Sequence, residues 1–158
     1  MTSIFFVTLL LSAVGSGIMA GLFFIFSNTI MNALSNLPPP QGIESMQSIN
    51  RVILNPLFFL VFIGTAVLSA LLALSLIWYW HYPGAIYVLV GAIIYLVGSF
   101  FVTVVFNVPM NKALDAVKPD TVEASDLWTN YLTKWTAWNH VRTIACLLSS
   151  VSFIFALV

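Results

Sequence analysis

The chain has 158 residues, of which 61% are hydrophobic and only 6% are charged, and its formal net charge at pH 7 is zero. A soluble domain of this size needs more surface charge, so the composition excludes that class and predicts a multi-pass integral membrane protein. The charge balance gives no basic surface for nucleic acid, and no nucleic-acid partner is expected.

Four apolar segments approach or exceed the roughly 20 residues that a helix needs to cross the hydrocarbon core. Asn55 and Pro56 predict a sharp helix start, since asparagine caps helix N-termini and proline suits the first helical position. Pro109 is expected to end the third helix, because the residue before a proline resists helical dihedrals. The sequence therefore predicts an all-α fold, a four-transmembrane-helix bundle in a single domain over residues 1–158, with spans at about 3–26, 56–78, 84–106 and 138–158.

The connections over residues 27–55 and 107–137 are much longer than the turn between the second and third spans. Both contain large apolar residues at helical spacing, which predicts a short interfacial helix in each long loop. The residues are Ile43, Met46, Ile49 and Ile53 in the first loop; in the second loop they are Trp128, Leu132 and Trp135, and the pattern continues to Trp138 at the start of the fourth span.

Basic residues lie only in these two connections or at their edges, at Arg51, Lys112, Lys118, Lys134 and Arg142. Cytoplasmic loops of membrane proteins carry the excess of lysine and arginine. We therefore expect both long loops to be cytoplasmic and both termini to lie on the outer side.

Polar side chains gather at this same depth, and ionisable groups inside an apolar span suggest a functional site because they are expensive there. Singly, asparagines cap helices and an arginine can extend to lipid phosphate. Collectively they favour a polar pocket. No metal site is predicted, because no second histidine, cysteine or carboxylate accompanies His140 at ligand spacing. The group comprises Gln47, Asn50, Asn55, Asn107, Asn111, Asn139, His140 and Arg142.

Several motifs follow one another in a recognisable order: Gly17–Met31, Met46–Asn50, Asn55-Pro56-Leu57-Phe58, Asn107–Asn111 and Trp135–Thr143. Together they resemble the anthrone oxygenase-like family of small four-helix membrane proteins, and the resemblance covers nearly the whole chain. It implies an oxidoreductase that converts an anthrone to an anthraquinone with molecular oxygen and without a metal or flavin cofactor.

On this reading, a small, flat, apolar aromatic substrate enters from the bilayer or from the cytoplasmic interface. Neutral His140 would remove its benzylic proton, a role suited to a group that titrates near neutrality. Arg142 and Asn139 complete the expected catalytic group. Arg142 and the amide of Asn50, Asn107, Asn111 or Asn139 would hold the developing enolate oxygen. The expected substrate-binding residues are Gln47, Asn50, Asn55, Asn107 and Asn111, with Phe23, Phe26, Phe58, Trp135 and Trp138 around the rings.

Two other classes stay open. The chain could bind haem or quinone through His140, although His81 lies on the opposite side, more than about 20 Å away by helix rise, which argues against an intrachain bis-histidine haem. It could instead be a non-catalytic membrane subunit or a small-solute carrier. Besides substrate, oxygen and membrane lipid, a second copy of the chain is a possible partner, because glycines such as Gly91 and Gly98 permit helix contacts within or between chains.

Overall fold

The computed structural model describes residues 3–158, which are helical almost throughout and contain no strand. Four helical segments are long and apolar enough to cross a membrane, as expected of a multi-pass integral membrane protein. The predicted all-α, four-span architecture is thus confirmed. In chain order the elements are α1 (Ser3–Ile25), π1 (Phe26–Ile30), α2 (Met31–Ser35), α3 (Pro39–Ile53), α4 (Pro56–Tyr79), α5 (Ala85–Ile93), π2 (Ile94–Phe101), π3 (Thr103–Asn107), α6 (Val108–Asp115) and α7 (Val122–Leu157).

The spans form a closed bundle in which α1 packs against α4 and α7, and α5 packs against the same two helices. Small residues bring these helices together. A Cβ atom on Gly15 would lie 2.0 Å from Thr65 Oγ1, and one on Gly91 would lie 2.9 Å from the Phe153 ring. Glycine therefore lets α1 approach α4, and α5 approach α7, more closely than any larger residue would allow.

The start of α4 follows the sequence prediction. The Asn55 side chain accepts a hydrogen bond of 3.0 Å from the Phe58 N–H, and Pro56 occupies the first turn. The Asn55 side chain thus satisfies one of the free backbone N–H groups at this helix end. Pro56 has no N–H, and the N–H of any other residue at its position would have no partner within the helix.

The sequence predicted that the third span ends before Pro109, and this prediction is wrong. The helical path continues through π3 into α6, and Pro109 lies in the first turn of α6. A proline inside an α-helix removes one backbone hydrogen bond and clashes with the carbonyl four residues earlier. The wider π turn over Thr103–Asn107 changes the bonding register just before the proline, so the chain continues without a break.

The fourth helix also differs from its prediction, because α7 begins at Val122 and not near residue 138. The Thr121 hydroxyl caps it by accepting from the Ala124 N–H. The interfacial helix expected around Trp128 and Trp135 is therefore the first part of α7. A helix does occupy the first loop, as α3, but its apolar residues Ile43 and Met46 are buried against protein instead of facing a membrane surface.

At one end of the bundle four helical segments form one packed unit, here named the cap: α2, α3, α6 and residues 122–135 of α7. Its hydrophobic core combines residues from all four segments, and its buried members include Leu34, Ile43, Met46, Leu114 and Trp128. Gln47 ties α3 to α6 by donating to the carbonyls of Leu114 and Val117 at 2.8 and 3.1 Å. The cap thus closes the end of the bundle where the polar residues gather.

Candidate functional site

A cavity of about 290 Å³ lies where the cap meets the bundle. Its walls are largely aromatic, and a few polar side chains from different elements converge on it. This combination of an apolar lining with a few placed polar groups is typical of small-molecule sites. The aromatic residues are Phe23, Phe26, Phe58, Phe59, Phe62, Phe100 and Trp135, and the polar ones are Asn50, Thr103, Asn111 and Arg142.

Arg142 is the charged residue of this cavity, and its side chain is only 4% exposed. Its Nη1 donates to Thr103 Oγ1 at 3.2 Å, and its Nη2 donates to Asn139 Oδ1. Across residues 3–158 the salt bridge that forms is Arg51–Asp115, so Arg142 has no carboxylate partner. A buried cation without a counter-ion is costly, and the protein compensates for it here with neutral groups alone.

Aromatic rings supply part of that compensation. The guanidinium carbon of Arg142 lies 4.1 Å from the centre of the Phe23 ring and 5.1 Å from the centre of the Trp135 ring. Each contact places the cation near the negative face of a ring, which stabilises it by about 0.5–2 kcal/mol. The cation is held in place while its charge stays unneutralised.

Asn139 positions Arg142 from outside the cavity. It is fully buried, its oxygen accepts from Arg142, and its amide group donates to the Phe23 carbonyl at 2.7 Å and to Ser27 Oγ. These bonds join α7 to the end of the first span. Asn139 itself does not line the cavity.

Two buried nitrogens of the cavity residues have no hydrogen-bond partner: Arg142 Nε and Asn50 Nδ2. Both are donors. The Asn111 oxygen, by contrast, already accepts from the Tyr131 hydroxyl at 2.8 Å and from Trp135 Nε1 at 2.7 Å. Buried donors are normally satisfied, so this arrangement suits a ligand that brings hydrogen-bond acceptors.

A column of stacked rings holds Asn111 and one wall of the cavity. Trp128, Tyr131 and Trp135 follow one another along α7, with centroid separations of 5.7 and 5.6 Å and nearly parallel planes. Phe26 packs against Trp135 at 5.8 Å. The stack holds Trp135 beside Arg142, and Trp135 forms part of the cavity wall next to the cap.

Several residues predicted for the site do meet in this cavity: Asn50, Asn111, Phe26, Phe58, Trp135 and Arg142, as does Phe23. Others lie nearby with structural partners. Gln47 joins α3 to α6, Asn55 caps α4, and Asn107 donates to the Trp135 carbonyl at 3.2 Å. None of these three lines the cavity.

His140 and Trp138 are placed differently from the prediction. His140 is exposed on the outer face of α7 and does not line the cavity, so the imidazole and the guanidinium do not share a pocket. The reason is helical geometry: positions two apart point about 200° apart around the axis. Trp138 is half-buried and stacks on Phe106, with ring centroids 3.7 Å apart, also outside the cavity.

The sequence reading missed Phe62, Phe100 and Thr103 as cavity residues. Phe62 lies one helical turn after Phe58, and the two rings stack at 5.4 Å. The four-residue spacing could have indicated this shared face. Thr103 and Phe100 lie in or beside π segments, whose altered register a period of 3.6 residues does not predict.

Within residues 3–158, no three histidine, cysteine, aspartate or glutamate side chains come together in a way that could hold a metal ion. The cavity instead offers a fixed positive charge, unpartnered donors and aromatic walls. These features can bind a flat apolar molecule and stabilise negative charge on one of its oxygens.

The family model for anthrone oxygenase matches residues 58–152, which is more than half of the chain. No curated protein and no solved structure has a significant match to it. The matched range contains Phe58, Phe62, Asn111, Trp135 and Arg142 of the cavity. The sequence motifs, the four apolar helices and this match agree, and the chain belongs to the anthrone oxygenase family.

Proposed function

We propose that this protein is a membrane-embedded oxygenase that acts on a flat, apolar, enolisable aromatic ketone of the anthrone type. One observation carries the proposal: the Arg142 guanidinium faces an aromatic cavity without a carboxylate partner among the described residues. Membership of the anthrone oxygenase family supports the reaction class.

Arg142 stabilises the anion that such a substrate forms. Loss of a benzylic proton from an anthrone leaves a negative charge that is delocalised onto its carbonyl oxygen. A fixed guanidinium in a water-poor site favours this charged form much more than bulk water would, and the site needs no reorganisation as the charge develops. Asn50 Nδ2 is a second unpartnered donor among the cavity residues.

The overall reaction is anthrone plus oxygen giving anthraquinone plus water. The benzylic C–H bond breaks, its proton passes to water, and its electron pair enters the enolate. The enolate carbon is oxidised as it bonds to oxygen, and the resulting peroxide anion takes up one proton to become a hydroperoxide. Loss of water then breaks the O–O bond and the remaining C–H bond, which leaves a second carbonyl. The electron-rich enolate can reduce oxygen itself, so we propose that no metal or organic cofactor takes part.

The proton-transfer step in this proposal differs from the one expected from the sequence. His140 lies outside the cavity, and no histidine, carboxylate, lysine or cysteine is among the lining residues. We therefore assign the acceleration to electrostatic stabilisation of the enolate, which lets water accept the proton. The chain contributes the charge and the aromatic walls.

The test uses the full chain in lipid nanodiscs with 1,8-dihydroxyanthrone, which also oxidises slowly by itself. Oxygen uptake and anthraquinone absorption are followed for wild type, for Arg142→Leu and for empty nanodiscs. We expect one oxygen consumed per anthraquinone formed, with wild type well above both controls. Equal rates for wild type and Arg142→Leu would overturn the proposal.

An absorption spectrum of the same sample separates the rival classes. A Soret band that titrates with protein would assign haem binding, and a co-purified quinone extractable in stoichiometric amount would assign quinone binding. Either result, combined with no anthrone turnover, would replace the oxygenase proposal.

We also propose that the cap faces the cytoplasm, because Arg51, Lys112, Lys118 and Lys134 all belong to it or to its connections. Single cysteines placed at Ser48 and at Pro83 test this orientation, since both positions are exposed and lie at opposite ends of the bundle. A membrane-impermeant maleimide applied to intact cells should label Pro83→Cys only. Labelling of Ser48→Cys only would reverse the orientation.

A further inference from the structure

The cavity has an opening on the side of the bundle. Four lining residues are themselves exposed: Leu54, Phe59 and Ile63, at 59, 41 and 43%, and Val104, at 48%. The first three lie at or near the start of α4, and Val104 lies in π3 of the third span. Exposed apolar side chains on spans of this kind face hydrocarbon.

Helix packing explains why the opening is there. α4 packs against α5 and π2, whereas π3 packs mainly against α6, α7 and π2. The second and third spans are therefore in contact over the far part of the bundle and separate near the cap. Phe59 and Ile63 are one turn apart on α4, and they form one edge of this gap.

On the aqueous side the same cavity is covered by α3. Asn50 and Ile53 of α3 line it, and Gln47 fastens α3 through the two carbonyl contacts to Leu114 and Val117. The Arg51–Asp115 salt bridge of 2.8 Å adds a second link between α3 and α6. A ligand that arrives from water would have to displace α3, whose apolar residues are buried against the rest of the cap. A ligand that arrives from lipid would reach the side of the cavity where the lining residues are exposed.

We infer that the ligand of this cavity enters and leaves sideways, from the bilayer, through the gap between Ile63 of the second span and Val104 of the third. The ligand class follows from the lining: a lipid-dissolved aryl ketone or phenol whose oxygen reaches Arg142 and Asn50. An alkyl substituent on its ring can extend through the gap into lipid. This inference rests on the cavity of the proposed function but not on its reaction.

The test measures binding and not turnover. The full chain in nanodiscs is mixed with vesicles preloaded with 2-hydroxyanthraquinone, whose visible absorption changes when its phenol ionises beside a cation. Ile63→Trp and Val104→Trp fill the gap, and Ile77→Trp and Val97→Trp are matched controls. These controls carry the same substitution on the same two spans at exposed positions away from the cavity.

We expect both gap variants to slow association and dissociation by roughly tenfold, with little change in affinity, because a narrowed path changes both rates alike. The control variants should stay within about twofold of wild type. Gap variants that bind as fast as the controls would overturn the inference. So would a wild-type rate that follows the aqueous concentration of the probe and not its concentration in the bilayer.

Two further measurements keep the outcomes distinct. Ile63→Ala and Val104→Ala widen the gap and should speed exchange, so the inference can still be tested if a tryptophan variant fails to fold. Failure of anthrone oxidation with normal, gap-dependent binding would reject the reaction and keep the entrance. Normal oxidation with kinetics that ignore the gap variants would reject the entrance alone.

Discussion

Phe23 serves Arg142 in two ways. Its ring centre lies 4.1 Å from the guanidinium carbon, and its backbone carbonyl accepts from the Asn139 amide that in turn holds Arg142 Nη2. Phe23 of the first span therefore contacts the flat face of the guanidinium directly and helps to hold its Nη2 atom through Asn139. The geometry of the site therefore depends on this contact between α1 and α7.

Replacement of Arg142 by Leu should lower kcat/KM for 1,8-dihydroxyanthrone by on the order of 100-fold, because it removes the main stabilisation of the enolate. Arg142→Lys should recover part of the rate, since it keeps the charge but loses the planar fork that bonds Thr103 and Asn139 together. Steady-state oxygen uptake gives both values. Size-exclusion profiles and melting temperatures of the variants control for misfolding, and equal activity of Leu and Lys variants would contradict the electrostatic role.

Asn139→Asp should weaken binding of anionic 2-hydroxyanthraquinone by about tenfold or more, because a carboxylate beside Arg142 neutralises the charge that attracts the ligand. The pKa of the bound phenol should also rise, because less positive charge remains to stabilise the phenolate. Absorption titrations measure both effects. Asn139→Leu is the structural control: it leaves buried polar groups without partners and should destabilise the fold by about 1–3 kcal/mol. Unchanged affinity for the anion in Asn139→Asp would count against a ligand beside Arg142.

His140→Ala should retain anthrone oxidation within about twofold of wild type, since exposed side chains away from a site rarely change its chemistry. The imidazole is exposed and does not line the cavity. Steady-state rates over a range of pH check this, with Asn50→Leu as a variant inside the cavity that should lose activity. Abolished turnover in His140→Ala, with the fold intact, would restore the histidine as the base.

Gln47→Ala and Arg51→Ala compare the two links between α3 and α6. Gln47 is buried and donates to two carbonyls, so its loss should make local opening of α3 easier by about 1–3 kcal/mol. The Arg51–Asp115 pair is exposed and should contribute at most about 1 kcal/mol. Hydrogen exchange of the α3 amides gives both values. A larger effect from Arg51→Ala would mean that the ion pair, not the buried amide, holds the cap.

Much of the fold follows from short-range signals in the sequence. Asn55 and Pro56 start α4 where predicted, and Gly91 and Gly98 both face α7, where a side chain would meet Phe153 and Ala145. Capping and close helix packing depend on local residue chemistry. The continuation of the third span past Pro109 could not be predicted in this way, because it follows a π turn over Thr103–Asn107 that no capping residue or close-packed glycine indicates.

The site was predictable in part. Trp135 and Arg142 are seven residues apart and face the same direction, which helical periodicity alone indicates. The same periodicity places His140 on the opposite side of the helix, so the sequence alone could have excluded the imidazole from the site. The cap could not be anticipated, because the core shared by Leu34, Ile43 and Leu114 joins segments far apart in sequence.

The absence of a carboxylate partner for Arg142 among the described residues has a consequence for how the proposed product would leave the cavity. A bound enolate is an anion, whereas the diketone formed from it is neutral. In the proposed reaction, the attraction that holds the enolate is therefore absent once the neutral diketone has formed. Release of the diketone would then require no conformational change, because the neutral product is no longer held by the guanidinium.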